Sequence, residues 1–294
     1  MTDLNLMQGA PPESKNQVTL ENWRLPPFNK WSFQHVCEIV QTAPIYNDPE
    51  NIRALESSPS DLINLKYNHG NETHDISDMF ERTQGDGLIV LHEGKIVLEE
   101  YRNGMTVRTR HILFSVTKSV TSLIAGILVG RGQLDPEALV TKYIPEAADT
   151  AFGGAKVQNV LDMSVGIAFD EDYTATKGAI VEYRESSGWN PRAITTRDLN
   201  LRDFLLKLKD RSGNHGEQFS YKSPVTDLLG WILERASGKR FADLLSEELW
   251  QPMGAGFDAY MCVDGAGAPR TAGGLCATLR DLALIGQLVC DGGK

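Results

Sequence analysis

The sequence predicts an α+β fold in which an antiparallel sheet is flanked by helices and joined to a mostly helical lobe. A β-hairpin pattern covers residues 87–101, and a helical apolar pattern follows closely at residues 116–130. Helical periodicity then dominates from about residue 140 to residue 260. A hairpin followed by an apolar helix implies a sheet with that helix packed on one of its faces.

The N-terminal part of the chain has little regular patterning. Residues 1–20 are polar, and the stretch from Trp23 to Trp31 combines two tryptophans with two adjacent prolines. We therefore predict that residues 1–80 form an arm and an irregular segment, packed on the domain that residues 81–294 form.

Two strands are clear in the sequence. Residues 87–92 and 96–101 are rich in β-prone side chains, and Glu-Gly-Lys separates them as a turn. Two strands alone do not make a stable sheet. Either further strands lie in residues 47–86 and 255–275, or the chain stops before the fold is complete. We favour the second alternative, in which C-terminal strands are missing.

The helices follow from apolar residues spaced three and four apart. In residues 116–130 this spacing places Val120, Ile124 and Leu128 on one face, and a Gly-Arg-Gly sequence ends the segment. The same periodicity covers residues 157–163, 201–209, 224–236, 241–250 and 279–290. Four of these five segments lie between residues 140 and 260, which predicts the helical lobe.

Composition narrows the classes of function. Among 294 residues, 29 are basic and 39 acidic, and the net charge of −10 argues against nucleic acid and anionic membranes as partners. No secretory signal is visible, and the longest apolar run is too short to span a bilayer. The four cysteines and six histidines are scattered. We therefore expect no metal, no cofactor, a cytoplasmic location and a small-molecule substrate, and we leave homodimerisation open.

One stretch, Phe114-Ser115-Val116-Thr117-Lys118, carries the pattern of a nucleophile and its base. Residues three apart at the start of a helix share a face, so the Ser115 hydroxyl and the Lys118 amine can approach each other. A serine becomes nucleophilic when a neutral lysine takes its proton, and the Ser115 backbone N–H suits an oxyanion. The alternative is a helix-capping serine followed by a solvated lysine.

A second constellation, Tyr221-Lys222-Ser223-Pro224, precedes a predicted helix. Ser223 suits the N-cap of that helix, and Pro224 suits its first position. The Tyr221 hydroxyl can both donate and accept, so it is a candidate proton relay toward Ser115 and Lys118. An amphipathic tyrosine at the helix start is the alternative.

Together, the two motifs resemble the serine β-lactamase and penicillin-binding-protein superfamily, in the branch with esterases and class C enzymes. Within that superfamily, Glu171-Asp172-Tyr173 and Ser187-Gly188-Trp189 resemble the 6-aminohexanoate-dimer hydrolase type. The resemblance implies a β-lactamase-like fold of three-layer α/β/α type. It also implies an acylated Ser115 and Lys118 as its base. The remaining implied roles are a relay at Tyr221 and substrate-binding positions at Tyr173 and Ser223.

The chain also departs from this resemblance. No Lys-Thr-Gly or His-x-Gly motif follows residue 274, so we expect the C-terminal part of the domain to be incomplete. The expected function is acyl-enzyme hydrolysis of a small amide or ester, such as a 6-aminohexanoate-oligomer-like amide or a carboxylic ester. The alternatives are a β-lactamase or D-alanyl-D-alanine carboxypeptidase-like enzyme, and a truncated, non-catalytic binding protein.

Overall fold

A computed structural model describes residues 5–193 and 198–293 of the chain. The helices of these residues are α1 (Asn29–Ser32), α2 (Ile76–Thr83), α3 (Val116–Gly130), α4 (Val140–Tyr143), α5 (Val157–Leu161), α6 (Ala179–Ser186), α7 (Leu201–Lys207), α8 (Ser223–Ser237), α9 (Phe241–Leu245) and α10 (Leu279–Cys290). The strands are β1 (Thr42–Ile45), β2 (Tyr67–His69), β3 (Glu72–His74), β4 (Gly87–His92), β5 (Lys95–Tyr101), β6 (His111–Ile112), β7 (Ala259–Cys262) and β8 (Leu275–Ala277).

The central sheet has the strand order β1-β7-β8-β6, and every neighbouring pair is antiparallel. Strand β1 pairs with β7 from Thr42 opposite Cys262 to Ile45 opposite Ala259, so a strand from the first eighty residues completes this sheet. The buried face of helix α3 shares one core cluster with residues of β1, β7 and β8. This packing fixes the start of α3 against the sheet.

The predicted hairpin is confirmed as β4 and β5, which pair antiparallel with an irregularity between Val90 and Leu91. Helix α10 packs against this hairpin, and Arg280 forms a bidentate ion pair with Glu99 at 2.7 Å for both contacts. The mixture of helices and antiparallel sheets confirms the predicted α+β class.

Besides the two strands that are clear in the sequence, strands lie in both of the regions that the sequence left open, which is the alternative that we did not favour. Strands β2 and β3 fall within residues 47–86, and β7 and β8 fall at residues 259–277. All seven residues of β7 and β8 are buried. A strand buried on both faces shows no alternation of apolar and polar residues, and three or four residues are too few for periodicity to detect.

Helix prediction succeeded where an apolar stripe was long. Helix α3 is confirmed over the predicted residues; four of the other predicted segments contain α5, α7, α9 and α10, and α8 extends one residue beyond each end of the segment 224–236. A π-helical turn, Ser246–Trp250, continues α9. Helix α6 was missed because it buries the polar residues Arg184, Glu185 and Ser186, which interrupt the apolar pattern. The longest described helices have 15 residues, and none in the described part of the chain is long and apolar enough to cross a membrane.

Helix α8 approaches the segment before β8 closely at Gly230. A Cβ atom at this position would lie 2.4 Å from Thr271 Cγ2. The Thr271 hydroxyl donates to the Thr226 carbonyl at 2.9 Å, which fixes the threonine against the helix. The absence of a side chain at residue 230 therefore sets the distance between α8 and residues 270–272.

We expect Gly230→Ala to lower the free energy of unfolding by about 1–3 kcal/mol, because the added methyl overpacks a buried contact. The matched control is Gly126→Ala in helix α3, where a Cβ would meet nothing within 4 Å. That change should leave stability unchanged or raise it by about 0.5–1 kcal/mol through helix propensity. Denaturant unfolding of both variants tests the contact, and equal effects would contradict it.

Candidate active site

Ser115 lies where the chain turns sharply from β6 into α3. The preceding residue, Phe114, has a φ of +43°, a conformation that non-glycine residues rarely adopt. Its ring is held edge-on by Phe33 at 5.0 Å and by Trp189 at 5.9 Å between ring centroids. The aromatic packing thus stabilises a strained turn that leaves Ser115 exposed at the start of the helix.

The structure brings Ser115, Lys118 and Tyr221 together, as the two sequence motifs predict. Lys118 Nζ lies 3.1 Å from Ser115 Oγ, and the Tyr221 hydroxyl donates to the same Oγ at 2.7 Å. Lys118 Nζ also donates to the Ala272 carbonyl at 2.6 Å and lies 4.9 Å from the centre of the Tyr221 ring. One serine oxygen is therefore in contact with two groups that can exchange its proton.

The capping alternative for Ser115 does not hold. Ser115 occupies the N-cap position of α3, but its side chain makes no capping hydrogen bond. Its backbone N–H donates no backbone hydrogen bond within the described residues. A free N–H at a helix N-terminus is the kind of donor that stabilises an oxyanion.

Lys222, the middle residue of the second motif, holds the loop that carries Tyr221. Its side chain is buried, and its amine donates to the Ile167 carbonyl and to Ser212 Oγ. Burial lowers the pKa of Lys222. The Ser220 N–H donates to the Met163 carbonyl at 2.8 Å. These contacts fix the backbone on both sides of Tyr221, a residue that remains 41% exposed beside Ser115.

The structure corrects the expected role of Ser223 as a helix cap. Helix α8 begins at Ser223 itself, and Lys222 is its N-cap. The Ser223 hydroxyl and N–H both donate to the Glu171 carboxylate, each at 2.5 Å. A carboxylate from a distant loop therefore accepts the hydrogen bonds of the first residue of α8.

The same carboxylate joins Ser223 to Tyr173. The Tyr173 hydroxyl donates to Glu171 Oε1 at 2.7 Å, although the residue is 66% exposed. Partial burial of the hydroxyl and the neighbouring Glu171 charge raise the pKa of Tyr173. Tyr173 and Ser223 line the cavity beside Ser115, with no direct hydrogen bond to Ser115 among the described contacts.

Asp227 is a site residue that the sequence did not reveal. Its carboxylate is buried in α8 and accepts from Ala272 N–H at 2.8 Å, from the Tyr183 hydroxyl and from Arg270 Nη1. Burial raises the pKa of Tyr183 well above its usual value. Because the Ala272 carbonyl accepts from Lys118, Asp227 positions the backbone that holds the lysine. The sequence offered one signal for this role, which is an acidic residue within a mostly apolar helical segment.

A cavity of about 260 Å³ opens beside Ser115. Its lining includes Tyr173 and Ser223, together with Arg24, Arg184, Trp189 and Arg270. Small-molecule sites are concave and carry a few convergent polar groups, as this cavity does. Its size suits a small acyl group.

Comparisons with known proteins agree with this geometry. The Beta-lactamase family model matches residues 75–289, a range that contains both motifs. The chain is 34% identical over 287 residues to the 6-aminohexanoate-dimer hydrolase of Paenarthrobacter ureafaciens, covering 96% of this chain and 70% of that protein. It is 30% identical over 190 residues to esterase EstB of Burkholderia gladioli, covering 59% of this chain and 46% of that protein.

A solved structure has the same fold over almost the whole chain. It is a protein of Bacillus anthracis assigned as a 6-aminohexanoate-dimer hydrolase, with a TM-score of 0.89 and 28% identity. The match covers 96% of this chain and 74% of that chain. Family, relatives and structure confirm the resemblance that the two motifs indicate, and the chain belongs to the beta-lactamase family.

Proposed function

We propose that the protein is a serine hydrolase that forms an acyl-enzyme on Ser115 and cleaves small amides or esters. The observation that carries the proposal is the convergence of Lys118 Nζ and the Tyr221 hydroxyl on Ser115 Oγ, at 3.1 and 2.7 Å. The names of its relatives, an amide-dimer hydrolase and an esterase, support both substrate classes.

In the first half of the reaction, Ser115 Oγ attacks the substrate carbonyl carbon while its proton passes to the neutral amine of Lys118. The Ser115 N–H donates to the oxygen that becomes negative. The Ala272 carbonyl, 2.6 Å from Nζ, accepts from the ammonium that forms. The tetrahedral intermediate then collapses, and Tyr221 delivers a proton to the departing amine or alcohol while Lys118 restores the phenol.

In the second half, water attacks the Ser115 ester. Lys118 and Tyr221 take the proton of that water and return a proton to Ser115 Oγ as the acid is released. The same two groups therefore act as base and acid in turn. In this scheme Tyr173 and Ser223 face the substrate from the cavity wall, and Glu171 positions both of them.

Acid-quenched mass spectrometry during turnover of 4-nitrophenyl acetate tests the proposal. We expect a single acetyl group on the intact chain, together with release of 4-nitrophenol faster than in buffer. A 4-nitroanilide panel extends the test to amides. Release of nitrophenol and nitroaniline only at the buffer rate, across all esters and amides, would contradict the proposal.

A further inference from the structure

An arginine corner, formed by Arg24, Arg184 and Arg270 with the indole of Trp189, makes one wall of the cavity beside Ser115. Arg184 and Arg270 are buried, with 8% and 5% of their surface exposed. The Arg270 guanidinium lies 4.0 Å from the centre of the Tyr183 ring and 4.8 Å from that of Trp189. Three cations are thus concentrated in a small, partly desolvated space.

The positive charge of this corner is only partly compensated. Arg270 forms an ion pair with Asp227. Within the described residues, Arg24 and Arg184 have no ion pair with a carboxylate; Arg24 donates to Asn190 Oδ1, and Arg184 donates to two backbone carbonyls. Among the described residues of the cavity wall, the one carboxylate is that of Glu171, which accepts hydrogen bonds from Ser223 and Tyr173. The charges of Asp172 and Glu171 act on Arg184 from a distance, but neither carboxylate forms a direct ion pair with Arg184 or Arg24 in the described residues.

Burial and the neighbouring positive charges also lower the pKa of Arg24 and of Arg184. Burial, together with the charges of Arg184 and Arg270, lowers the pKa of Arg24 to about 10. Burial and the Arg270 charge lower the pKa of Arg184 as well. In addition, the Nε atoms of Arg24 and Arg270 and the Nε1 atom of Trp189 are buried without a hydrogen-bond partner in the described residues. Buried donors and charges without partners are costly, and an anion would relieve both.

In the proposed reaction, the cavity would hold the acyl side of the substrate. Ser115 lines it, whereas Tyr221, which protonates the leaving group in the proposed reaction, does not. A group held in the cavity thus belongs to the part that stays on the serine. The planar guanidinium fork matches a carboxylate, which two arginines can bind through charge-assisted hydrogen bonds.

We infer that the arginine corner binds a carboxylate at the far end of the acyl group, so that the preferred substrates are half-amides or half-esters of short dicarboxylic acids. This inference rests on the proposed function and adds the charge of the substrate to it.

Three 4-nitroanilides of matched length test the inference: glutaryl, which ends in a carboxylate; its terminal carboxamide, which is neutral; and 5-aminopentanoyl, which is cationic. We expect kcat/KM for the glutaryl compound to exceed that for the carboxamide by about ten- to a hundredfold, the effect of one charge-assisted hydrogen bond or a bidentate pair. Each compound is also measured as a competitive inhibitor of 4-nitrophenyl acetate hydrolysis, so that a slowly cleaved anilide still reports its affinity.

Variants of the arginines then test whether these side chains cause the preference for the glutaryl compound. The glutaryl-to-carboxamide ratio of kcat/KM should fall about tenfold in Arg184→Gln and remain higher in Arg184→Lys. In Arg184→Glu, the preferred substrate should become the aminopentanoyl compound. Arg24→Gln provides a second variant at a less buried side chain. Arg235→Gln is the matched control, because Arg235 pairs with Glu146 near the far end of α8 and should keep the wild-type ratio.

The outcomes separate the inference from the proposed function. An enzyme that becomes acylated but treats the three compounds alike, in cleavage and in inhibition, would overturn the carboxylate site and leave the hydrolase standing. A glutaryl preference that survives in both Arg184→Gln and Arg24→Gln would also overturn it. Failure of every ester to acylate the chain would instead remove the proposed function itself.

Discussion

Replacing Ser115 by alanine should abolish hydrolysis, with kcat/KM for 4-nitrophenyl acetate at least about ten-thousandfold lower. The alanine lacks the oxygen atom that both Lys118 Nζ and the Tyr221 hydroxyl contact, so neither group has a nucleophile to activate. The fold should be unaffected, because the Ser115 side chain is exposed and makes no capping bond to α3. Initial rates and denaturant unfolding of the purified variant measure the two effects separately.

Ser119→Ala is the matched control for that change. Ser119 is exposed on the next turn of the same helix and has no hydroxyl contact to the site among the described hydrogen bonds. It should keep wild-type activity. Activity that persists in Ser115→Ala, or that is lost equally in Ser119→Ala, would contradict the assignment of the nucleophile.

The second large effect is expected at Lys118. Lys118→Met keeps the length of the side chain but removes the proposed base, so the rate of Ser115 acylation should fall by about a thousandfold or more. Lys118→Arg should fall by a similar factor, because a guanidinium keeps its proton and cannot act as a base. The measurement is the second-order rate of labelling by a fluorophosphonate.

The two Lys118 variants distinguish a base from a fixed positive charge. If Lys118 served only as a charge beside Ser115, arginine would retain most of the rate while methionine would lose it. Lys142→Met, at an exposed lysine paired with Asp135, controls for loss of a surface charge. Rapid labelling of Lys118→Arg would therefore contradict proton transfer to this lysine.

The sequence points to the proposed nucleophile because the geometry of that motif is local. Ser115 and Lys118 are three residues apart on one helix, and helical spacing alone brings their side chains together. Tyr221 is 106 residues away, so its position was accessible only through the paired motifs and the family they resemble. Local periodicity carries no information about such a distance.

The supporting residues were not predictable for the same reason. Trp23, next to Arg24, donates to the Trp189 carbonyl across 166 residues, and Arg270 reaches Asp227 across 43. For Ser223, the capping rule predicts a hydroxyl bound to the backbone of its own helix. In the structure the hydroxyl donates instead to Glu171, which lies 52 residues away in the sequence. Tertiary contacts decide these roles, and a single sequence does not display them.

The most direct test of the central claim is to locate the covalent adduct. The protein is incubated with a fluorophosphonate, digested, and sequenced by tandem mass spectrometry, with Ser115→Ala in parallel. We predict one adduct per chain, on Ser115, and none on the alanine variant. An adduct on another residue of the wild type, or no adduct on a folded wild-type chain, would contradict activation of Ser115 by Lys118 and Tyr221.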